Sequence, residues 1–262
     1  MAEPQIRFDD GAAYERMMGV WSRLVGEQFL DWVALPPGLR CVDIGCGNGA
    51  LTELLIERCK PAEVSGIDPS EGQLAFARTR SGAGLAKFQQ GDAETLPFAD
   101  KSFDAAFMAL VIFFVPNPAK GLAEMRRVTR PSGTVAAYAW DMPGGGFPLE
   151  PLQAELRALG QKYMLPPNAE VSRLPALRKL WADGGLEAVE AREFTVLRTY
   201  ASFDEFWATS LTSPSTGGAI AKLAPADGAA LKAHVRERLP ADASGRITYS
   251  SRANAVKGRV PN

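Results

Sequence analysis

The sequence predicts an α/β fold: a Rossmann-like doubly wound sheet of about seven strands, mostly parallel with an antiparallel last strand, plus helical cap insertions. Three observations carry that prediction. An apolar run, Cys41-Val42-Asp43-Ile44, drives into glycines at alternate positions (Gly45, Gly47, Gly49), and a helical pattern opens at Leu51 with Leu54 and Leu55 on one side. Short apolar segments then alternate with helical ones, as βαβ units require. Finally, 262 residues at 46% hydrophobic are enough to bury one large core.

The elements follow in chain order. Tyr14, Met17, Met18 and Trp21 recur near helical spacing, followed by Leu24, Val25, Phe29, Trp32 and Val33. One helix, or two short ones, packed on the sheet accounts for them. Pro36-Pro37-Gly38 closes this N-terminal segment, residues 1–37. Residues 38–141 then read as a ligand-binding core, and 142–262 as the remaining strands with cap insertions, the whole forming one compact domain.

A strand feeding a glycine-rich turn that feeds a helix builds a cradle. The glycines permit positive φ and close ligand approach, and the helix start offers open amides. Val64–Asp68 is a second strand ending in an acid, followed by Pro69-Ser70-Glu71 and a helix through Leu74, Phe76 and Ala77. Phe88-Gln89-Gln90 is a third strand, turning at Gly91-Asp92-Ala93. Phe103–Leu110 has the near-continuous apolarity of a central parallel strand, with Leu110 at its ligand end and Asp104, at its start, structural. Ala119–Val128 is helical, with Leu122, Met125 and Val128 inward and Arg126 and Arg127 solvated. Pro131-Ser132-Gly133 turns into a strand that ends at Trp140 and Asp141.

Beyond Asp141 the character changes. Gly144-Gly145-Gly146 reads as a flexible hinge before an amphipathic helix with Leu152, Leu156, Leu159 and Tyr163. A second helix carries Leu174, Leu177, Leu180 and Trp181 and stops at Gly184-Gly185. Leu186–Arg198 is a strand, Ser202–Leu211 a short helix, Thr212–Gly218 a polar loop. A helix with Leu231, Val235 and Leu239 precedes the final antiparallel strand from Arg246. The inserted helices are expected to roof a pocket.

Asp43 selects the cofactor class. Gly45-x-Gly47-x-x-Ala50 also satisfies the dinucleotide fingerprint. A carboxylate at the strand tip, however, would face a dianionic pyrophosphate on the same turn, and like charges at short range are costly in a partly dry site. The same carboxylate suits S-adenosylmethionine, which carries an ammonium and no phosphate. Asp68 falls where an acid accepts from ribose hydroxyls. Asp92 could accept from an adenine amine while the Ala93 amide donates to the ring.

The segments VDIGCGNGALT, GIDPSEGQLAFAR, GDAETLPFADKSFD and EMRRVTRPSG resemble class I S-adenosylmethionine-dependent methyltransferases. The likeness runs from about Tyr14 to Trp140 and is strongest toward the small-molecule, quinone-biosynthesis-like (methyltransferase type 11) branch. It implies transfer of a methyl group, with S-adenosylhomocysteine as product, and a cofactor site drawn from Asp43, Gly45, Cys46, Gly47, Asp68, Pro69, Asp92, Ala93 and Leu110. It further implies that the leading segment folds over the cofactor, Tyr14 and Trp21 touching the methionine end and Arg23 pairing with its carboxylate. Plain packing of that segment is the alternative. Relatives often carry imidazoles at the mouth of the site, where this chain has Phe113 and Phe114.

The acceptor is legible only in outline. Phe113, Phe114, Trp140, Phe206 and Trp207 suggest an apolar or aromatic small molecule, methylated in line through proximity and desolvation. No dedicated catalytic base stands out, since His234 is the single histidine and sits at a helical surface position. Cys41, Cys46 and Cys59 show no metal spacing and read as free thiols of a cytoplasmic protein. No metal is expected. A net charge of −1 and the absence of a long apolar run argue against nucleic-acid and membrane partners. A monomer or homodimer is expected. Two other readings stay open: a protein that binds the cofactor or its product without turnover, and an NAD(P)-dependent oxidoreductase.

Overall fold

The computed structural model describes Ile6, residues 10–80 and residues 82–262. Seven strands form one sheet: β1 (Arg40–Ile44), β2 (Glu63–Asp68), β3 (Ala86–Gln90), β4 (Phe103–Ala109), β5 (Thr129–Trp140), β6 (Glu187–Tyr200) and β7 (Ile247–Arg259). Their order is β3-β2-β1-β4-β5-β7-β6. The first five are mutually parallel, and β7 is inserted antiparallel between β5 and β6. Strand order reverses between β1 and β4. In such sheets that reversal opens a crevice at the carboxyl ends of the strands.

The helices are α1 (Gly11–Tyr14), α2 (Val20–Val33), α3 (Ala50–Cys59), α4 (Glu71–Ala77), α5 (Pro118–Val128), α6 (Glu150–Ala158), α7 (Leu174–Asp183), α8 (Phe203–Leu211), α9 (Thr216–Ile220) and α10 (Pro225–Arg238). Adjacent residues of β4 show how they divide. Phe107 meets Phe29 of α2 edge to face, whereas Met108 lies against Gly121 of α5. Successive strand residues point to opposite faces, so α2 and α5 cover opposite sides of the sheet. Trp21, Trp140, Trp181, Tyr138, Tyr200, Phe29 and Phe107 are among the largest fully buried side chains of the described residues.

Several expectations change. The leading helix is continuous from Gly11 to Val33, but it runs through a π-helical turn at Glu15–Gly19. The expected hinge at Gly144–Gly146 is a pinned turn. Asp141 accepts from the Gly144 N–H at 3.1 Å, and the Gly146 N–H and C=O bond to Asp141 and Arg252. The expected polar loop at 212–218 contains α9, with Ser213, Ser215 and Thr216 buried. Gly217 makes this possible, since a Cβ there would lie 2.0 Å from the Leu211 carbonyl oxygen. Leu159 caps α6 and is 38% exposed rather than lying on its buried face.

Arg127 is not a solvated residue either. Its guanidinium donates to Glu124, to Asp100 at 2.8 Å, and to the carbonyls of Phe98 and Leu96. Glu124 in turn accepts from the Leu96 N–H. The loop after β3 is thereby tied to α5. Replacing Arg127 by Met is expected to lower stability by roughly 1–3 kcal/mol, the cost of leaving those charge-assisted partners unmet. Urea denaturation checks this, and Arg127→Lys should recover less than half because an ammonium lacks the planar fork.

Candidate active site

The site begins with the glycine turn between β1 and α3. Gly45, Gly47 and Gly49 all have positive φ (70°, 51° and 82°). They differ in what surrounds them. A Cβ on Gly45 would strike Val111 at 2.5 Å, and one on Gly49 would press Ala77 at 3.0 Å, but one on Gly47 would meet nothing closer than 3.8 Å. Gly47 is the position where the turn has open space beside it.

Internal bonds hold the turn in that shape. The N–H groups of Gly45 and Cys46 donate to the Ile67 carbonyl, and that of Gly47 donates to Asp68 at 2.9 Å. The other oxygen of Asp68 accepts from the Ser70 N–H at 2.9 Å. Burial raises the Asp68 carboxyl above its usual range while these two N–H bonds pull it down. The Cys46 side chain points at Gly66 of β2, whose Cβ would lie 3.0 Å from its sulfur. Burial pushes its thiol well up. The thiol of Cys46 is therefore packing, and only its backbone belongs to the turn.

Asp43 is fully buried at the tip of β1. Its Oδ2 accepts from the Thr52 hydroxyl at 2.7 Å, and its Oδ1 has no partner. Burial pushes the carboxyl up to about 7; the nearby charge of Asp68 adds to this and the Thr52 hydroxyl opposes it. A carboxylate oxygen that is buried, unpartnered and next to an open turn calls for a cationic donor. An ammonium group fits it and a phosphate does not.

At the carboxyl ends of β2 and β3 lie exposed Pro69, exposed Asp92 and half-buried Ala93. Asp92 accepts from the Glu94 N–H at 2.7 Å, fixing the loop. Across the crevice, Leu110 directly follows β4 at φ 62°, a conformation an L-residue adopts only under constraint. It is held by its N–H bond to the Tyr138 carbonyl at 2.8 Å.

The leading helix covers this crevice. Glu15 of the π turn accepts from the Asn48 side chain at 2.7 Å and from Arg80, and Arg80 also bonds Glu53 at 2.9 Å. Tyr14 lies near Asp68, and burial is the largest cause of its hydroxyl being pushed up to about 12. Thr52, Glu15 and Arg80 were not anticipated. Thr52 falls one turn into α3, close to the tip of β1, which is a usable signal; nothing local marks Arg80.

Two predicted members of this cover stand elsewhere. Arg23 lies on the outer surface, paired with Glu27 at 3.1 Å and Glu57 at 2.9 Å. Helical geometry turns it away from the face that carries Met17, Met18 and Trp21. Trp21 donates to the Tyr200 hydroxyl at 3.2 Å and meets Trp140 and Tyr249. It belongs to an aromatic cluster on β5, β6 and β7 and not to the methionine end.

Beside the turn is a narrow apolar cavity, lined by Tyr14, Met17, Met18, Leu110, Phe113, Phe114 and Trp140. Phe206 and Trp207 lie outside that lining. Phe206 packs on Tyr200 and Tyr249, and Trp207 stacks on Phe203 under Lys232. Both follow the inward stripe of α8, which faces β6 and α10. Asp141, at the end of β5, is engaged by Arg252 at 2.6 Å.

Residues 42–137 match the methyltransferase domain family. The chain is 34% identical over 167 residues to a demethylmenaquinone methyltransferase of Renibacterium salmoninarum, covering 62% of this chain and 67% of that protein. It is 36% identical over 140 residues to a fatty-acid O-methyltransferase of Mycolicibacterium smegmatis, covering 52% and 49%. The chain thus spans between half and two thirds of these relatives. The phosphoethanolamine N-methyltransferase 2 of Haemonchus contortus, solved with S-adenosyl-L-methionine, superposes with a TM-score of 0.57 at 18% identity, covering 96% of this chain and 56% of that one. That likeness is one of fold.

The raised carboxyl of Asp43 has a measurable consequence. Its neutral form is favoured in the folded protein, so its contribution to stability is greatest below the ordinary value of 3.8 and declines as pH rises toward about 7. A ligand ammonium at Oδ1 reverses that preference. Binding of S-adenosylmethionine at pH 6 should therefore release nearly one proton, seen as a buffer-dependent enthalpy in calorimetry. Asp43→Asn should abolish the release and weaken binding by at least about tenfold.

Proposed function

The chain belongs to the class I S-adenosylmethionine-dependent methyltransferases, and on that premise we propose that it methylates a small, apolar or aromatic acceptor seated in the cavity beside Leu110. The observation that carries the donor half is the unpartnered Oδ1 of Asp43 next to the open face of Gly47. That pair would hold the amino acid end of the donor. Asp68 would take the ribose hydroxyls with its remaining lone pairs, and Asp92 with the Ala93 amide would meet the adenine. When bound, S-adenosylmethionine supplies a methyl carbon already activated by its sulfonium.

The chain's own contribution is then positioning and exclusion of water. Leu110, Phe113, Phe114 and Trp140 wall the cavity, and the leading helix closes it from above. Orientation and desolvation together can lower a barrier by up to about 7–11 kcal/mol. Tyr14 is the one described titratable group on the wall, and with its hydroxyl pushed up to about 12 it stays protonated near neutral pH. The acceptor therefore brings its own nucleophilicity. The demethylmenaquinone and fatty-acid specificities in the names of the two relatives support an apolar acceptor.

The test is calorimetric and catalytic. Titration with S-adenosylmethionine, S-adenosylhomocysteine and NAD should show binding of the first two and none of the third. Incubation with a panel of hydroxylated aromatic and long-chain acceptors should yield S-adenosylhomocysteine; tight donor binding with no turnover on any acceptor would make it a binding protein instead. Gly47→Val should fold, cost roughly 1 kcal/mol for a branched residue at positive φ, and lose at least about tenfold in donor affinity.

A further inference from the structure

The roof of the cavity is not apolar throughout. Gln153 of α6 lines it while being only 2% exposed, and its side-chain amide makes no hydrogen bond to any described residue. Ser213 and Ser215, also on the lining, are 4% and 8% exposed. Their hydroxyls touch only each other, at 3.3 Å, the Thr216 N–H at 3.3 Å and its hydroxyl at 3.4 Å, all long contacts. On the adjoining wall, the Trp140 indole N–H is buried without a partner.

Buried polar groups are nearly always satisfied, and an amide left open in a core costs free energy comparable to a lost hydrogen bond. Four unmet or weakly met uncharged groups around one cavity are the pattern of a site that fixes a ligand's orientation. None carries a charge, so they suit a neutral oxygen and not an ammonium or a phosphate. An amide can donate to a carbonyl or phenolic oxygen and accept from a hydroxyl, which covers both states of such a group.

Resting on the acceptor reading of this cavity, we infer that Gln153, supported by Ser213 and Ser215, recognises an uncharged oxygen substituent on an otherwise apolar aromatic acceptor. Gln153 sets specificity by leaving its amide unsatisfied when that oxygen is missing. Discrimination against a deoxy analogue should then be about 5- to 20-fold, what one buried hydrogen bond delivers.

The experiment uses the full chain saturated with S-adenosylhomocysteine, with 1-naphthol and naphthalene as binding probes followed by saturation-transfer NMR. Wild type should hold 1-naphthol about 5- to 20-fold more tightly than naphthalene, and the near-isosteric Gln153→Met should bring the two within about twofold. Ser213→Phe, which fills the cavity, should abolish binding of both. Retained S-adenosylhomocysteine affinity in each variant shows that it folds, and Gln153→Leu is the substitute should Met fail that check. Equal binding of the two probes by wild type, or a preference that survives Gln153→Met, overturns the role of Gln153 alone. Undiminished 1-naphthol binding by Ser213→Phe overturns the acceptor site itself.

Discussion

Two carboxylates buried at neighbouring strand tips are the constraint on which the rest of this structure depends. Asp68 uses both oxygens to fasten backbone N–H groups of the glycine turn and of the loop leading into α4. That bond welds β2 to the turn that follows β1 and keeps Gly47 in its left-handed conformation with its open side free. Asp43 is left half-satisfied and partly protonated within the same low-dielectric space. The pair makes the crevice complementary to a cation with no phosphate. That is a property of charge and burial, and glycine spacing alone would not have conferred it.

The second organising feature is the leading helix. Its π turn places Glu15 over Asn48 and Arg80, so the covering segment is held by an ion pair and a side-chain amide instead of by apolar packing alone. Gly11 lets α1 approach Phe76 of α4 to within a distance no side chain would allow. Further along the same helix, the buried Arg198 donates to the Met17 carbonyl and stacks on Tyr200 at 4.1 Å. The helix is thereby bound at one end to the glycine turn and along its length to β6.

Charge is partitioned across the crevice. Acidic groups gather at the glycine turn and the tips of β2 and β3, whereas the cavity wall beyond Leu110 is aromatic and thioether-rich with a neutral polar roof. Methyl transfer from a cationic centre is served by such a gradient, because the positive charge of the donor is held on one side while water is excluded on the other.

The sheet and the glycine turn with its two flanking acids were legible in the linear chain, and the reason is locality. Strand, turn and helix at residues 41–59 are adjacent, the acids at Asp43 and Asp68 end apolar runs, and glycine at positive φ is a backbone requirement that side-chain identity reports directly. What only tertiary structure decided lies where distant segments meet. Helical period alone could not say that Trp21 reaches Tyr200, because that depends on how α2 is rotated against β6. Phe206 and Trp207 look like Phe113 in the sequence, but α8 aims them at β6 and α10. The polarity of 212–218 suggested a solvated loop, yet Gly217 folds it into the roof beside Gln153. Burial of polar groups there is set by neighbours more than fifty residues away, and no local pattern encodes a neighbour.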